Sequence, residues 1–418
     1  MRVGWIGLGK LGLPCAVACA HRGLDVMGYD VDVKRMTRDP QPYREAGPDG
    51  TGDFNAFLAE SSIRFGSLQE VVDHSELLFV AVQTPHLPEY EGIAPLPATR
   101  ADFDYRALQV AVMDIEACVR NRRSKYVPTV AVVSTVLPGT IRSKILPLLR
   151  GAAPVIYVPS FIAMGTTMRD FLDPEFVLCG HEDAGCVEAV RDFLRASGIP
   201  DPLCTMGIES AELTKVAYNT FVGLKIAFAN TMMEVCHKLP GCDVDDVMRT
   251  LQRANRRLIS PAYLNAGMGD GGGCHPRDNI ALSWLARKLG LKYDLFESLM
   301  LARERQAKWF AELLLSYHLP ACVLGYAFKP GTNITTGSHA LLVARFMELQ
   351  LGVPVRKWDP LVDAPHDWGG DAPHVFLVGT KHEEFRRFRF PAGSVVLDPF
   401  RYIGPQDGVT VVPLGIGT

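Results

Sequence analysis

A glycine pattern close to the N-terminus restricts the possible folds of this chain more than any other feature. It reads Gly7-Leu8-Gly9-Lys10-Leu11-Gly12, which matches GxGxxG, and it stands between an apolar run and a helical pattern. Glycines allow a tight turn and let the backbone approach a bound group closely. Amides at the start of the helix can then receive a pyrophosphate. A lone match is weak evidence, but this position after a strand and before a helix predicts a dinucleotide-binding fold.

Apolar runs alternate with helical patterns through the first half of the chain, and the alternation resumes at about Leu319. Runs that are apolar on both faces are typical of parallel strands covered by helices on both sides. We therefore expect an α/β protein with two Rossmann-like, doubly wound domains. The predicted strands are residues 3–6, 26–29, 77–82, 130–133, 155–158, 321–325, 353–358, 374–378 and 394–398.

A long helix is predicted between the two α/β regions, over residues 208–239. Apolar residues recur at helical spacing on one side, and Val222, Ile226 and Met233 make the other side apolar as well. A helix that is apolar nearly all round is buried between domains or between subunits. We expect an NAD-binding domain over residues 1–203, a central helical dimerisation and catalytic domain over 204–317, and a second α/β domain over 318–418. A homodimer or a higher homo-oligomer is the expected state.

Composition excludes several other classes of function. The net charge is −3, from 43 Lys and Arg against 46 Asp and Glu, so we expect neither a nucleic-acid nor a membrane-surface partner. The N-terminus lacks the pattern of a secretory signal, and no apolar stretch approaches the ~20 residues of a membrane span, which predicts a cytoplasmic protein. The ten cysteines are scattered without a CxxC pair, so we expect neither a disulfide framework nor a metal site.

The nature of the dinucleotide follows from the end of the next predicted strand. Asp30 stands there, and a carboxylate at that place binds ribose hydroxyls and repels a ribose phosphate, which favours NAD over NADP. Arg35 lies close enough to be a further cofactor contact. A flavin or another nucleotide on the same turn is the alternative. Thr84-Pro85 and Ser134-Thr135 close later strands at the same sheet edge and are further candidates, with ordinary turn chemistry as their alternative.

The most unusual stretch is the glycine-rich run that leads into Cys274, residues 267–273. Five glycines in seven positions let the backbone approach a ligand closely, and a helical pattern begins just after the cysteine. Amides and the dipole at a helix start favour the nucleophilic thiolate. The alternative is a flexible surface loop with an incidental cysteine.

Earlier in the chain, Lys215 and Asn219 stand four apart on the predicted long helix, where they can share one face and polarise a substrate oxygen. A lysine that extends to the surface is the alternative for Lys215.

Together these motifs resemble the nucleotide-sugar dehydrogenase family, which includes the UDP-glucose, UDP-N-acetylmannosamine and GDP-mannose dehydrogenases. The resemblance spans nearly the whole chain, and the glycine run with its cysteine is its most discriminating part. It rests on Gly7 to Gly12, Ser134-Thr135, Lys215-x-x-x-Asn219, Gly271-Gly272-Gly273-Cys274 with Asp278, Gly325 to Pro330, Asp359-Pro360 and Arg401.

The resemblance implies NAD-dependent oxidation of a sugar C6 alcohol, most often of a UDP-sugar, to the uronic acid. Cys274 would capture the aldehyde as a thiohemiacetal and carry the thioester. Lys215 and Asn219 would stabilise the oxyanion, and Asp278 would orient water or Lys215. The residues that would contact the substrate are Arg257 (or Arg256), Tyr263, Gly271, Gly272, Lys329 and Arg401.

This chain departs from the family where glutamates usually follow the fifth strand. Ser160 and Met164 stand at those positions, and Asp270 in the glycine run is a possible substitute. The segment 332–338 also lacks the acidic pair and the arginine expected after Lys329. Two alternatives therefore stay open: a two-electron dehydrogenase on a nucleotide-linked substrate, and a protein that binds a nucleotide sugar without catalysis.

Overall fold

The computed structural model describes residues 1–199, 202–238, 240–255, 265–269, 272–288, 294–363 and 372–416. The chain divides into two compact units, each formed from two segments of the sequence. The first unit comprises Met1–Pro85 and Phe103–Ala217, and the second comprises His86–Asp102 and Tyr218–Thr418. The division into three domains that the sequence suggested stays a prediction.

The first unit is built on an eight-stranded sheet. Its strand order is β3-β2-β1-β4-β5-β6-β7-β8. Only the pair β6–β7 is antiparallel, so β7 and β8 run opposite to the other six strands. The order 3-2-1-4-5-6 is that of dinucleotide-binding folds, with the switch point between β1 and β4. The five predicted strands are present, and three others were missed, namely β3, β7 and β8. The strands are β1 Arg2–Ile6, β2 Asp25–Tyr29, β3 Arg64–Phe65, β4 Leu77–Val80, β5 Thr129–Val132, β6 Val155–Tyr157, β7 Val177–His181 and β8 Leu203–Gly207.

Helices cover this sheet and bury its apolar strands. Trp5 of β1 stacks on Phe79 of β4 with ring centroids 4.5 Å apart, and both side chains are almost fully buried. Ser67 and Glu70 form a reciprocal capping box that begins α3. The helices are α1 Gly12–His21, α2 Phe54–Glu60, α3 Leu68–His74, α4 Arg106–Arg120, α5 Leu146–Leu149, α6 Thr167–Leu172 and α7 Gly185–Ser197, and a π-helical turn spans Ile141–Ile145.

The second unit contains a parallel five-stranded sheet in the order β10-β9-β11-β12-β13. Its four predicted strands are present with slightly different ends, and β13 was missed. The strands are β9 Ala321–Leu324, β10 Val355–Trp358, β11 Val375–Val378, β12 Val395–Asp398 and β13 Thr410–Pro413. Within the described residues, the α-helices that lie wholly in this unit are α9 Val244–Arg253, α10 Cys274–Lys288, α11 Leu295–Ser316 and α12 His339–Arg345.

An excursion from the first half of the sequence, His86–Asp102, belongs to the second unit. Tyr90 packs in a small apolar cluster with Ile280 of α10 and Met300 of α11. Arg100, whose side chain is 4% exposed, forms an ion pair with Glu297 at 2.7 Å. This segment is therefore held by helices that lie about two hundred residues later in the chain.

Helix α8, Ile208–Lys238, is the predicted long helix. Several apolar residues on it are buried, among them Val216, Ala229 and Met233. The expectation of burial all round does not hold within one chain, because a stripe of apolar side chains is 40–46% exposed. Its members are Leu213, Phe221, Leu224 and Phe228. Across the described ranges, α8 included, no helix is both long enough and apolar enough to cross a membrane.

Candidate active site

The glycine turn follows β1, at the switch point of the first sheet. Gly7 has φ of +91°, and a Cβ there would lie 2.7 Å from the Ala81 carbonyl oxygen. A Cβ on Gly12 would lie 1.9 Å from the Gly7 carbonyl oxygen, so α1 begins directly against the turn. At Gly9, by contrast, a Cβ would have only the Nη1 atom of Arg35 nearby, at 3.6 Å. Gly7 and Gly12 are thus needed for packing, whereas Gly9 leaves open space for a ligand.

The start of α1 is suited to an anion. Leu11 occupies the N-cap position without a side-chain cap, and no acidic residue stands in the first turn of Gly12–His21. Lys10 beside it is exposed. The uncapped amides and the helix dipole of α1 therefore provide the partners that a pyrophosphate requires.

Asp30, which follows β2, lies against the same turn. Its Oδ2 accepts a hydrogen bond from the Leu8 amide at 2.7 Å, and its Oδ1 accepts one from the Asp32 amide at 2.8 Å. Arg35 approaches Asp30 at 3.6 Å and Asp32 at 3.6 Å. An acid fixed beside the glycine turn is the group that binds the ribose hydroxyls of NAD, so these residues fit that cofactor.

The other predicted cofactor residues follow the neighbouring strands β4 and β5. The Thr84 hydroxyl donates to the Thr135 carbonyl oxygen at 2.7 Å, which joins the two loops. The Pro85 carbonyl accepts from the Asp104 amide at 2.7 Å. The structure therefore brings Thr84 and Thr135 together at one sheet edge, as expected. It gives the Thr84 side chain a structural hydrogen bond, and a contact of these residues with the cofactor stays a prediction.

Cys274 is the first residue of α10 and is exposed. The glycines before it pack against a segment that follows β9. A Cβ on Gly272, whose φ is +93°, would lie 2.4 Å from the Phe328 ring. A Cβ on Gly337 would lie 2.2 Å from the Gly273 nitrogen. Close packing thus requires glycine here, and it fixes the chain that leads to the thiol of Cys274.

Asp278 lies one helical turn after Cys274 and is completely buried. Its carboxylate accepts hydrogen bonds from the side-chain amide of Asn219 and from Nε of Arg277, the latter at 2.8 Å. Asn219 is itself buried on α8. A buried carboxylate with two donors orients those donors strongly, because an unpaired charge would be costly there. The second unit therefore contains Cys274, Asp278 and Asn219 on two helices.

Lys215 belongs to the first unit and is 8% exposed. Its ammonium group donates to the Ser160 carbonyl oxygen at 2.9 Å and lies 4.9 Å from the centre of the Phe161 ring. The alternative of a lysine that extends to the surface therefore does not apply. Instead, the ammonium group contacts the backbone of one of the two residues that replace the expected glutamates.

Lys329 and Arg401 are the predicted substrate residues whose side chains the structure describes. The Nζ atom of Lys329 lies 5.5 Å from the centre of the Phe328 ring. The Arg401 side chain is 6% exposed, and its guanidinium donates to the Asp245 carboxylate at 2.9 Å and to the Ala266 carbonyl at 2.8 Å. The structure thus gives Arg401 a role in holding the second unit together, and contact with substrate stays a prediction. Four other candidates lie outside the described residues, namely Arg256, Arg257, Tyr263 and Gly271, as does Asp270.

Two carboxylates contact the backbone of the segment that lacks the expected glutamates. Asp170 accepts from the Ala163 amide at 2.9 Å, and Glu45 accepts from the Gly165 amide at 3.0 Å. Glu45 is buried although it lies far away in the sequence. No acidic residue in the segment itself could have indicated either contact, so sequence reasoning missed them.

Glu212 is another residue that the sequence analysis missed. It precedes Lys215 by one turn of α8, is completely buried, and accepts from the amides of Gly139 and Ile141 at 2.5 and 2.7 Å. Burial raises the pKa of its carboxyl from 4.5 to about 7, against the opposing effect of the two amides. A glutamate on an otherwise apolar helix was the available signal.

The parts of the chain that the structure describes hold no cluster of His, Cys, Asp or Glu side chains suited to a metal ion. A glycine turn at the switch point of a 3-2-1-4-5-6 sheet, with Asp30 beside it, defines a dinucleotide-binding oxidoreductase.

Comparison with known proteins identifies the family. The model of the UDP-glucose/GDP-mannose dehydrogenase family, NAD binding domain, matches residues 1–196, and that of the central domain matches residues 209–304. The two matches together cover more than half of the chain, which therefore belongs to this family. It is an NAD-dependent nucleotide-sugar dehydrogenase, an oxidoreductase that acts on CH–OH groups.

Individual relatives are similar over nearly their whole length. UDP-glucose 6-dehydrogenase AglM of Haloferax volcanii is 29% identical, over 86% of this chain and 84% of the relative. GDP-mannose 6-dehydrogenase of Azotobacter vinelandii is 25% identical, over 98% of this chain and 100% of the relative. The structure of a UDP-glucose dehydrogenase from Pyrobaculum islandicum has a TM-score of 0.84 at 25% identity, over 100% of this chain and 98% of that one.

Proposed function

We propose that this protein oxidises the C6 primary alcohol of a UDP-sugar to the uronic acid through a covalent intermediate on Cys274. The observation that carries the proposal is the exposed Cys274 at the start of α10, one turn before the buried Asp278 that holds Asn219. Relatives named as UDP-glucose 6-dehydrogenases, at 28–29% identity, support the UDP-sugar over the GDP-sugar.

In the proposed reaction, the alcohol first loses two electrons and becomes an aldehyde. The Cys274 sulfur adds to the aldehyde carbon, and the resulting thiohemiacetal loses two more electrons to become a thioester. Water then releases the carboxylate and restores the thiol. The Gly7–Gly12 turn and Asp30 would hold NAD, which would be the hydride acceptor for both oxidations, so two NADH are expected for each sugar.

Asn219 is proposed to stabilise the negative charge on the substrate oxygen. The side-chain amide nitrogen of Asn219 carries two N–H groups, and Asp278 accepts a hydrogen bond from one of them. The second N–H can then be directed to the oxygen by the orientation that Asp278 imposes. Lys215 is proposed for the same charge, and Lys329 and Arg257 for the diphosphate.

A two-electron dehydrogenase is the second candidate. The observation that favours it is the pair Ser160 and Met164, which leaves the segment after β6 without a carboxylate of its own. Thioester hydrolysis benefits from a base, and the nearby Asp170 and Glu45 already accept backbone hydrogen bonds.

One experiment separates the two functions. A panel of UDP- and GDP-sugars is supplied with NAD, and NADH yield and product mass are measured for the wild type and for Cys274→Ala. We expect two NADH and a uronic acid with a UDP-sugar, and loss of acid formation in Cys274→Ala. Cys204→Ala, which removes another exposed cysteine, is the matched control and should keep full activity. One NADH per product would support the two-electron enzyme, and full acid production by Cys274→Ala would refute the covalent route.

A further inference from the structure

Two cysteines away from the candidate active site are in direct contact. The sulfur atoms of Cys236 and Cys242 lie 2.9 Å apart in the second unit. A disulfide bond is ~2.05 Å long, so an approach of less than 1 Å would join them. We propose that Cys236 and Cys242 form a reversible disulfide when the protein meets a disulfide oxidant such as glutathione disulfide.

The turn between α8 and α9 produces this contact. Cys236 lies in the last turn of α8, and the chain reverses at Gly241, whose φ is +76°. A Cβ on Gly241 would meet nothing within 4 Å, so no described atom packs against Gly241 on that side. Cys242 immediately precedes Asp243, which accepts from the Asp245 amide at 2.7 Å and caps α9. Secondary structure thus fixes both ends of the pair.

The two thiols differ in access, and this gives the order of the reaction. Cys242 is half-buried, whereas Cys236 is 2% exposed in the apolar core. Burial, the neighbouring Cys242 thiol and Asp243 raise the pKa of Cys236 to about 11, which makes it the poorer first nucleophile. Cys242 is therefore the attacking thiol and Cys236 the resolving one.

The electrons and atoms balance with glutathione disulfide as oxidant. The deprotonated Cys242 sulfur attacks one sulfur of glutathione disulfide, forms a mixed disulfide and releases one glutathione. Cys236 then loses its proton, attacks the Cys242 sulfur and displaces the second glutathione. The two cysteines lose two electrons and two protons, which leave in the two reduced glutathione molecules. Cys274 takes no part, so the proposed nucleophile is not consumed.

Peptide mapping of the whole protein tests the proposal. The reduced protein is equilibrated in glutathione buffers of rising oxidised fraction, quenched in denaturant with N-ethylmaleimide, and digested with trypsin. Cleavage after Lys238 separates the two cysteines into peptides 226–238 and 239–249. We expect these two peptides linked, about 2 Da lighter than their reduced sum, and separated again by dithiothreitol.

Two variants and an internal control sharpen this experiment. Cys274→Ser should give the same linked peptides, and Cys236→Ser should leave glutathione attached to Cys242. Cys15 and Cys19, which are four residues apart and completely buried on α1, should appear fully alkylated. The proposal is overturned if wild-type Cys242 carries only glutathione, if it links to Cys274, or if Cys236 and Cys242 both stay alkylated in the most oxidising buffer.

Discussion

Glu212 connects the start of α8 to the chain that follows β5. Its carboxylate accepts the amides of Gly139 and Ile141, four to six residues after Thr135. The same helix carries Lys215 one turn later, so Glu212 helps to fix the backbone from which Lys215 extends. Its raised pKa then has a consequence for stability that can be measured.

Folded protein holds the Glu212 proton more tightly than the unfolded chain, because the pKa rises from 4.5 to about 7 on folding. The free energy of unfolding therefore falls as pH rises from about 5 to 7, by at most ~3 kcal/mol from this group. Glu212→Gln removes the titration. We expect the melting temperature of the wild type to fall more between pH 5.5 and 7.5 than that of Glu212→Gln.

Glu209→Gln is the matched control for this prediction. Glu209 lies one turn earlier on α8, its side chain is 43% exposed, and it forms an ion pair with Arg142 that lowers its pKa. A lowered carboxyl pKa gives a stabilisation that is fully present above about pH 5. Glu209→Gln should therefore show the same change in melting temperature between pH 5.5 and 7.5 as the wild type. Equal changes in melting temperature between pH 5.5 and 7.5 in the wild type and in Glu212→Gln would contradict the prediction.

The start of α10 is positioned by a segment that lies outside the helix. Gly337 packs against the backbone of Gly272 and Gly273, just before Cys274. A side chain at position 337 must therefore displace the chain that leads into the helix. The sequence alone could not reveal this contact, because the two segments are about sixty residues apart.

Gly337→Ala should lower the rate of NADH formation at least tenfold, because its Cβ would lie 2.2 Å from the Gly273 nitrogen and displace Cys274. Gly331→Ala is the control, since Gly331 has nearly the same φ (+74° against +75°) but nothing within 4 Å of its Cβ position. Both variants carry a similar backbone strain. The rate constant and the melting temperature of each should be compared. Equal rates in the two variants would show that the contact at Gly337 does not control the position of Cys274.

The elements that the sequence predicted well were those with a strong apolar pattern. β4 and β9 are completely buried and were found, whereas β8 is mostly exposed and lacks that signal. β3 has only two residues and was missed for that reason. In the site, the glycine turn, Asp30 and Cys274 were predicted from local motifs. Glu212 and Glu45 were missed because their roles depend on partners far away in the sequence.

At the scale of the whole molecule, the apolar stripe on α8 predicts self-association. Phe221, Leu224 and Phe228 follow each other at helical spacing and are 40–45% exposed in a single chain. A contiguous apolar stripe of this kind marks an interface, and a second copy of the helix would cover it symmetrically. A homodimer is the state that we propose from it.

Phe228→Glu should therefore convert the dimer to a monomer, because a buried charge without a partner is costly at an apolar interface. Light scattering coupled to size-exclusion chromatography gives the mass directly. Met113→Glu, an equally exposed apolar position on α4, should leave the mass unchanged. A wild-type protein that is monomeric at micromolar concentration would remove the basis of this prediction.

The excursion His86–Asp102 also affects how the protein is made. A ribosome produces Tyr90 and Arg100 long before it produces Met300 and Glu297, against which they pack. All strands of the first sheet have been synthesised once Ala217 is made, but Tyr90 and Arg100 then still lack the residues against which they pack. Folding during synthesis is therefore not strictly sequential. A chain that stops after the first unit would leave that loop open to proteases.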